Sequence, residues 1–145
     1  MPDIRIIVID SKSALMAAVM ALRHEVFVVE QAVPPELEPD AFDATAIHLA
    51  ALDGEAVIGT LRIVRNGRTA RIGRMAVRAA ERRRGVGSQL MIAAEALAAR
   101  TGVTEIVLHA QRTAGAFYRR LGYREEGAEF EEAGIQHIQM RKALP

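Results

Sequence analysis

The sequence of 145 residues has no cysteine, no tryptophan and few aromatic residues. Without cysteine, the chain can form no disulfide, no cysteine-ligated zinc finger and no thiolate nucleophile. The longest apolar run, residues 14–22, has nine residues, whereas a membrane-spanning helix needs about 20. The first ten residues carry an early acid and no small-residue cleavage site, unlike a secretory signal peptide. These absences predict one cytoplasmic domain, residues 1–145, with no membrane segment and no metal site.

The charges are sorted along the chain, although the formal net charge is only +1. Residues 62–84 hold nine arginines and one acid, residues 23–55 hold eight acids and one arginine, and residues 125–132 hold five acids and no base. Such sorting is compatible with a polyanion-binding stripe and equally with ion pairs between strands. A nucleic-acid-binding module is the weaker interpretation, because no aromatic residues are interleaved with the arginines.

The hydrophobic pattern predicts a mixed, mostly antiparallel sheet of six or seven strands flanked by helices, in the order β-α-β-β-β-α-β-α-β-β. Asp53-Gly54 and Asn66-Gly67 favour tight turns between three successive strands. Ser11 or Ser13 is expected to cap the first helix. The three apolar residues 106–108 predict a strand buried on both faces. The predicted strands are 4–9, 47–52, 56–64, 68–77, 105–109, 123–126 and 135–141, and the predicted helices end near residues 29, 100 and 121.

A basic turn containing Gly85 and Gly87 lies between a predicted strand and a predicted helix. Glycine lets the backbone approach a ligand, and the free N–H groups at a helix start can hold phosphate oxygens. Three arginines, residues 82–84, would add charge-assisted hydrogen bonds to the same anion. Most short glycine pairs are simply turns, so the position between a strand and a helix is what favours a phosphate site.

The segment QRTAGAFYRRLGY, residues 111–123, predicts a short helix that ends before Gly122. Phe117 and Leu121 share one face of this helix and are expected to pack into the core. Tyr118 lies on a different part of the helix surface, which predicts a boundary tyrosine whose hydroxyl contacts water.

Together these two segments resemble the GNAT superfamily of acetyl-CoA-dependent N-acetyltransferases. The pyrophosphate pattern of that family, Q/R-x-x-G-x-G/A, is matched by Arg82, Gly85 and Gly87. Its later pattern, N-x-x-A-x-x-F-Y-x-x-x-G-F/Y, is matched by Ala114, Phe117, Tyr118, Gly122 and Tyr123, with Gln111 in place of asparagine. The segments LRHEVFVVEQ, IGRMAV and GIQHIQM are further similar to the ElaA-like branch. The resemblance covers nearly the whole chain.

This resemblance implies direct transfer of an acetyl group from acetyl-CoA to a primary amine in a ternary complex. The cosubstrate would pair with the main chain of the strand before the glycine turn, and Tyr118 would be the general acid. A homodimer is compatible with the family, and the two closing strands are candidate contact edges. The resemblance implies that acetyl-CoA contacts Met75, Ala76, Val77, Arg82, Arg83, Arg84, Gly85, Val86, Gly87, Ser88, Gln111, Phe117 and Tyr118.

The sequence leaves the identity of the acceptor, its binding residues and the general base undetermined. The acceptor is expected to be a small-molecule or peptide amine, attracted by the acids of residues 25–55. Arg74 lies inside a strand, where it either forms a buried or half-buried ion pair, for instance with an acid of the first helix, or clamps a carboxylate of the acceptor. Glu30 and His109 are further candidates for acceptor binding. The general base is one of Glu30, Asp43, His48, His109 and His137, or water. The alternative function is an acyl-CoA-binding or sensor protein that is catalytically weak.

Overall fold

Seven strands form one continuous sheet in the order β1-β2-β3-β4-β5-β7-β6 in a computed structural model that describes residues 3–145. All neighbouring strands are antiparallel except β4 and β5, which are parallel. The strands are β1 (Ile4–Ile9), β2 (Ile47–Asp53), β3 (Ala56–Asn66), β4 (Thr69–Val77), β5 (Glu105–Gln111), β6 (Arg124–Glu132) and β7 (Ile135–Ala143). The α-helices are α1 (Met16–Arg23), α2 (Val86–Arg100) and α3 (Gly115–Arg120). The predicted fold class and element order are confirmed.

The two faces of the sheet pack against different helices. Side chains alternate between faces along a strand, so Leu49 packs with α2 and α3 while its neighbour Ala50 packs with α1. The α2 face is the larger core, and it includes the fully buried Leu90 and Met91. Within residues 3–145, no helix has the length and apolar content needed to cross a membrane.

The first helix differs from its prediction at both ends. It begins after Leu15 without a side-chain cap, and the Ser13 hydroxyl instead accepts a hydrogen bond from the Leu15 amide at 3.1 Å. The α-helix ends at Arg23 and continues as a π-helix, His24–Glu30. Apolar spacings of three and four residues fit both helix types over two turns, so the sequence pattern could not separate them.

The C-terminal strands also correct the prediction in two respects. Strand β5 is buried on one face, at Ile106 and Leu108, whereas Val107 and His109 on the other face stay partly exposed. Strand β6 continues to Glu132 rather than ending at Glu126. It is the outermost strand and mostly exposed, so its acidic sequence lacks the apolar alternation that reveals a half-buried strand.

Strands β4 and β5 part after a short junction. They pair over four residues, from Thr69 opposite Glu105 to Ile72 opposite Leu108. Beyond that point β4 continues beside β3, and β5 continues beside β7. An irregularity in the β3–β4 register accompanies the parting, and Arg74 within it has a φ of +54°. The parting opens the sheet on one side of residues 73–77.

Candidate active site

A cavity of about 960 Å³ lies where β4 and β5 part. Its lining combines β4, the glycine turn, α3 and the loop that follows the π-helix. Among the residues singled out from the sequence, the cavity is lined by residues 74–77, 82, 83, 85–88, 109, 111, 114, 117, 118 and 137. The fold therefore brings together two segments, residues 74–88 and 109–118, that are separated by 20 residues in the chain.

Glu30 and Arg84 are not among the lining residues. Glu30 forms a two-point ion pair with Arg82, with N–O distances of 2.6 and 2.8 Å. The Nε of Arg82 also donates to the Val77 carbonyl at 3.0 Å. Arg84 is turned toward Glu81 and Asp53. The structure thus places the predicted acceptor residue Glu30 against a predicted cosubstrate residue, Arg82.

The glycine turn exposes backbone donors at the start of α2. Gly85 has a φ of +77°, and a Cβ atom added there would meet nothing within 4 Å. A Cβ on Gly87 would instead lie 3.2 Å from the Phe117 ring. No side chain caps the helix, so its first N–H groups are available to an anion. Gly85 supplies the left-handed turn, whereas Gly87 lets α3 approach closely.

Tyr118 is in the core rather than at its boundary, contrary to the sequence prediction. It is 8% exposed and packs edge-to-face against Phe117 and Tyr123. Helix α3 buries Gly115 and Tyr118, while Phe117 and Leu121 pack against the core and stay partly exposed. Burial raises the pKa of Tyr118 to about 12.

The Tyr118 hydroxyl opens into the cavity. In residues 3–145, Nδ1 of His48 is the only fully buried side-chain polar atom without a hydrogen-bond partner. The Tyr118 hydroxyl also has no hydrogen-bond partner in that range, and yet it is not one of the fully buried atoms. It is therefore accessible, and the space that it reaches is the cavity that Tyr118 lines. A protonated donor therefore faces the space beside the open edge of β4.

Five charged side chains form a cluster that fixes the loop after the π-helix. Arg23 donates to both oxygens of Glu38, at 2.7 and 2.8 Å, and to Asp43 at 2.7 Å. Arg62 donates to Asp40 at 2.6 and 2.8 Å and to Asp43 at 2.9 Å. Arg23 and Glu38 are 1% and 4% exposed. We call these five residues the arginine–acid cluster.

The cluster also governs the protonation of its acids. Burial raises the pKa of Asp43, but the hydrogen bonds and charge of Arg23, together with hydrogen bonds from the Asp40 amide and Arg62, outweigh it and hold that pKa well below its usual range. The Arg62 guanidinium likewise lowers the pKa of Asp40. Sequence reasoning missed this cluster because its partners lie 15 to 22 residues apart. The one available signal was Arg23, the sole arginine in an acidic segment.

Arg74 forms a partly buried ion pair with Asp40 of the loop, and not with an acid of the first helix. Its Nε donates to the Glu38 carbonyl at 2.9 Å, and its NH2 group lies 3.2 Å from Asp40. Burial, reinforced by repulsion from Arg62, lowers the pKa of Arg74. Much of the positive charge concentrated in residues 62–84 is therefore neutralised by acids of other elements, in the ion pairs of Arg62, Arg74, Arg82 and Arg84.

Two of the five candidate bases, His109 and His137, line the cavity. The Nδ1 atom of His109 lies 3.0 Å from Glu132 and 2.8 Å from Arg71. The Nε2 atom of His137 lies 3.8 Å from the same Glu132 carboxylate. Glu30, Asp43 and His48 are not lining residues; His48 is buried, with Nε2 3.0 Å from the Asp43 carbonyl.

Comparison with known proteins gives a consistent result. Residues 10–144 match the model of the acetyltransferase (GNAT) domain family. The uncharacterized N-acetyltransferase YjcF of Bacillus subtilis is 39% identical over 122 residues, which is 83% of this chain and 87% of that protein. An acyl-CoA N-acyltransferase from Pseudomonas aeruginosa has a TM-score of 0.88 and 32% identity, covering 97% of this chain and 100% of that chain. Escherichia coli ElaA has a TM-score of 0.86 and 27% identity, covering 97% and 99%. The chain therefore belongs to the GNAT family of N-acetyltransferases.

Proposed function

We propose that the protein transfers an acetyl group from acetyl-CoA directly to a primary amine while both are bound. The proposal rests on one observation, which is that three features lie around the same cavity. They are the open edge of β4, the uncapped start of α2 and the Tyr118 hydroxyl. The similarity to an acyl-CoA N-acyltransferase supports an acyl-CoA donor. The proposed acceptor is a small-molecule or peptide amine.

The cavity suits the proposed cosubstrate in size and chemistry. Its volume of about 960 Å³ lies near the upper end for ligand pockets, roughly 300–1,000 Å³. The pantetheine arm would pair with the main chain of residues 75–77, where β4 has no strand partner on the β5 side. The pyrophosphate would lie on the amides of residues 84–88, near Arg82 and Arg83. Gln111 and Phe117 would complete the site from β5 and α3.

In the proposed reaction, the amine nitrogen attacks the carbonyl carbon of the thioester. A C–N bond forms, the C–S bond breaks, and coenzyme A leaves as a thiolate. A main-chain N–H of the open β4 edge would stabilise the charge that develops on the carbonyl oxygen. The amine gives up a proton to His109, to His137 or to water, and an equivalent proton reaches the thiolate, so the charges balance.

Tyr118 would donate to the sulfur as the C–S bond breaks. Its pKa of about 12 keeps the hydroxyl protonated at neutral pH. An ordinary thiol has a pKa of about 8.5, so complete transfer of the Tyr118 proton to the thiolate is uphill unless the tyrosine is reprotonated at the same time. We therefore propose that Tyr118 stabilises the departing thiolate by a hydrogen bond and relays the proton that the amine releases.

The test compares two variants that each remove one tyrosine hydroxyl. Tyr118→Phe should lower kcat about a hundredfold or more and leave the acetyl-CoA Kd unchanged. Tyr123→Phe is the matched control, because the Tyr123 hydroxyl contacts Glu95 and does not line the cavity. Release of free coenzyme A measures turnover, and titration calorimetry measures binding. Unchanged kcat in Tyr118→Phe would remove the assigned role, and a protein that does not bind acetyl-CoA would refute the function.

A further inference from the structure

Gly73 is in an unusual position for a glycine. Seven of the eleven glycines have a left-handed φ, and three others would place a Cβ within 3.2 Å of a neighbour, namely Gly59, Gly87 and Gly115. Gly73 has neither property, and a Cβ added there would meet nothing within 4 Å. Neither backbone conformation nor packing against the described residues explains the missing side chain. Since Gly73 lines the cavity in strand β4, the missing side chain leaves room on the cavity floor.

The acids near Gly73 are already paired, so they offer little to a cationic amine. Both oxygens of Glu38 accept from Arg23. Both oxygens of Asp40 accept from Arg62, and one also accepts from the Phe42 amide. Of the acids in residues 25–55 that the sequence offers for attracting the acceptor, Glu38 and Asp40 therefore have little capacity left for a cation.

The arginines on either side of Gly73 are less completely paired. Arg74 donates mainly to main-chain oxygens of Glu38 and Leu37, and its carboxylate contacts are Asp40 at 3.2 Å and Glu38 at 4.0 Å. Its NH1 nitrogen has no hydrogen-bond partner within residues 3–145, and the side chain is 24% exposed. Burial and the Arg62 charge lower the pKa of Arg74, although the charges of Asp40 and Glu38 raise it.

Arg71 adds a second cation to the same floor. It lines the cavity, and its side chain is 49% exposed. Its ion-pair partner is Glu132 at 3.9 Å, a carboxylate that also lies 3.0 Å from His109. Gly73 therefore lines the cavity together with two arginines whose guanidinium groups have N–H donors not used by the described residues.

We propose that the amine acceptor carries a carboxylate and that Arg74, assisted by Arg71, holds this carboxylate over Gly73. A planar guanidinium with free N–H groups matches a carboxylate, because the two can form parallel charge-assisted hydrogen bonds. The acceptor class is thus an amine of amino-acid type. This inference rests on the proposed acetyl transfer, since it names the substrate class of that same site.

The test measures coenzyme A release with acetyl-CoA and matched amines: the twenty common L-amino acids, their carboxamides, the corresponding decarboxylated amines and O-phosphoethanolamine. For the amino acid that reacts best, kcat/KM should be about tenfold or more higher than for its carboxamide. This ratio is what the loss of one hydrogen bond to a charged group usually produces. Arg74→Met should abolish that preference by raising KM for the amino acid and leave the acetyl-CoA Kd unchanged. Arg68→Met, which removes an exposed arginine outside the cavity, is the control and should retain the preference.

A second variant keeps the proposal testable if Arg74→Met fails to fold. Gly73→Val fills the floor without meeting a neighbour at its Cβ, and it should raise the acceptor KM at least tenfold while acetyl-CoA binding is kept. Equal or better turnover of carboxamides, of decarboxylated amines or of O-phosphoethanolamine would overturn the carboxylate assignment. So would acetyl-CoA binding without turnover of any amino acid. Absence of acetyl-CoA binding would refute the proposed function itself, and calorimetry distinguishes that result from the others.

Discussion

The two walls of the cavity are held in place by different forces. Residues 75–88, the donor wall of the proposed reaction, pack on the apolar core of α2, where Leu90 and Met91 are fully buried. Residues 33–45, which we name the acceptor wall on the same proposal, are anchored by the arginine–acid cluster. Apolar packing is insensitive to pH and tolerates small changes in side-chain shape, whereas a buried charge requires its partner. The same cavity should therefore respond differently to substitution and to acid on its two sides.

The largest expected effect comes from breaking the acceptor wall. Arg23→Met leaves the buried Glu38 carboxylate without its main partner, which should cost about 3–5 kcal/mol in the free energy of unfolding. Urea denaturation measures this loss. Arg68→Met, at an exposed position, should stay within about 0.5 kcal/mol. A loss below 1 kcal/mol for Arg23→Met would mean that the loop does not depend on the cluster.

Acid should weaken the acceptor wall before the donor wall. The pKa values of Asp40 and Asp43 are lowered in the folded protein. A lowered folded pKa stabilises the protein above the unfolded value, about 3.9 for aspartate, and this stability is lost as the pH falls through the folded value. Unfolding free energy should therefore decline below about pH 4, and Asp43→Asn should flatten that decline. Parallel pH curves for the two proteins would contradict the assignment to Asp43.

Two glycine substitutions compare the close packing under the donor wall with the open space at Gly73, which belongs to neither wall. Gly59→Ala places a Cβ 2.8 Å from Val86 Cγ1 and 3.1 Å from Leu90 Cδ1, under the donor wall. Overpacking there should cost about 1–3 kcal/mol. Gly73→Ala meets no atom, so it should be neutral or stabilise the protein by up to about 1 kcal/mol through the unfolded state. Thermal and urea unfolding of both variants check the difference, and equal losses would show that the space over Gly73 is not free.

The smallest effect on stability is expected at an exposed ion pair between the donor wall and the π-helix. The Glu30–Arg82 pair is exposed, with both side chains 39% accessible, so Glu30→Gln should change the unfolding free energy by less than about 1 kcal/mol. The same variant frees Arg82 for an anion and should tighten acetyl-CoA binding a few-fold in low salt. Calorimetry at two salt concentrations measures this. Weaker binding would instead mean that Glu30 holds Arg82 in position for the ligand.

The same contrast explains what the sequence could predict. The donor wall is one continuous segment, and a turn with Gly85 and Gly87 before a helix can be recognised from its local order. The acceptor wall depends on Arg23 meeting Glu38 and Arg62 meeting Asp40, pairs distant in the chain that resemble ordinary surface charges. The burial of Tyr118 depends on which face of the short helix α3 meets the core, and spacing within six residues does not fix that face.

The parting of β4 and β5 has a consequence for the cooperativity of the molecule. The four residue pairs of the junction join two antiparallel ribbons, one made of residues 4–77 and the other of residues 105–143. A ligand bound in the gap would form hydrogen bonds to both ribbons, as a strand between them would. The two ribbons would then unfold locally as one cooperative unit rather than separately. Amide hydrogens of residues 73–77 that face the gap should exchange rapidly in the free protein and slowly in the complex. Hydrogen exchange would thus map the bound ligand onto the chain before any acceptor is known.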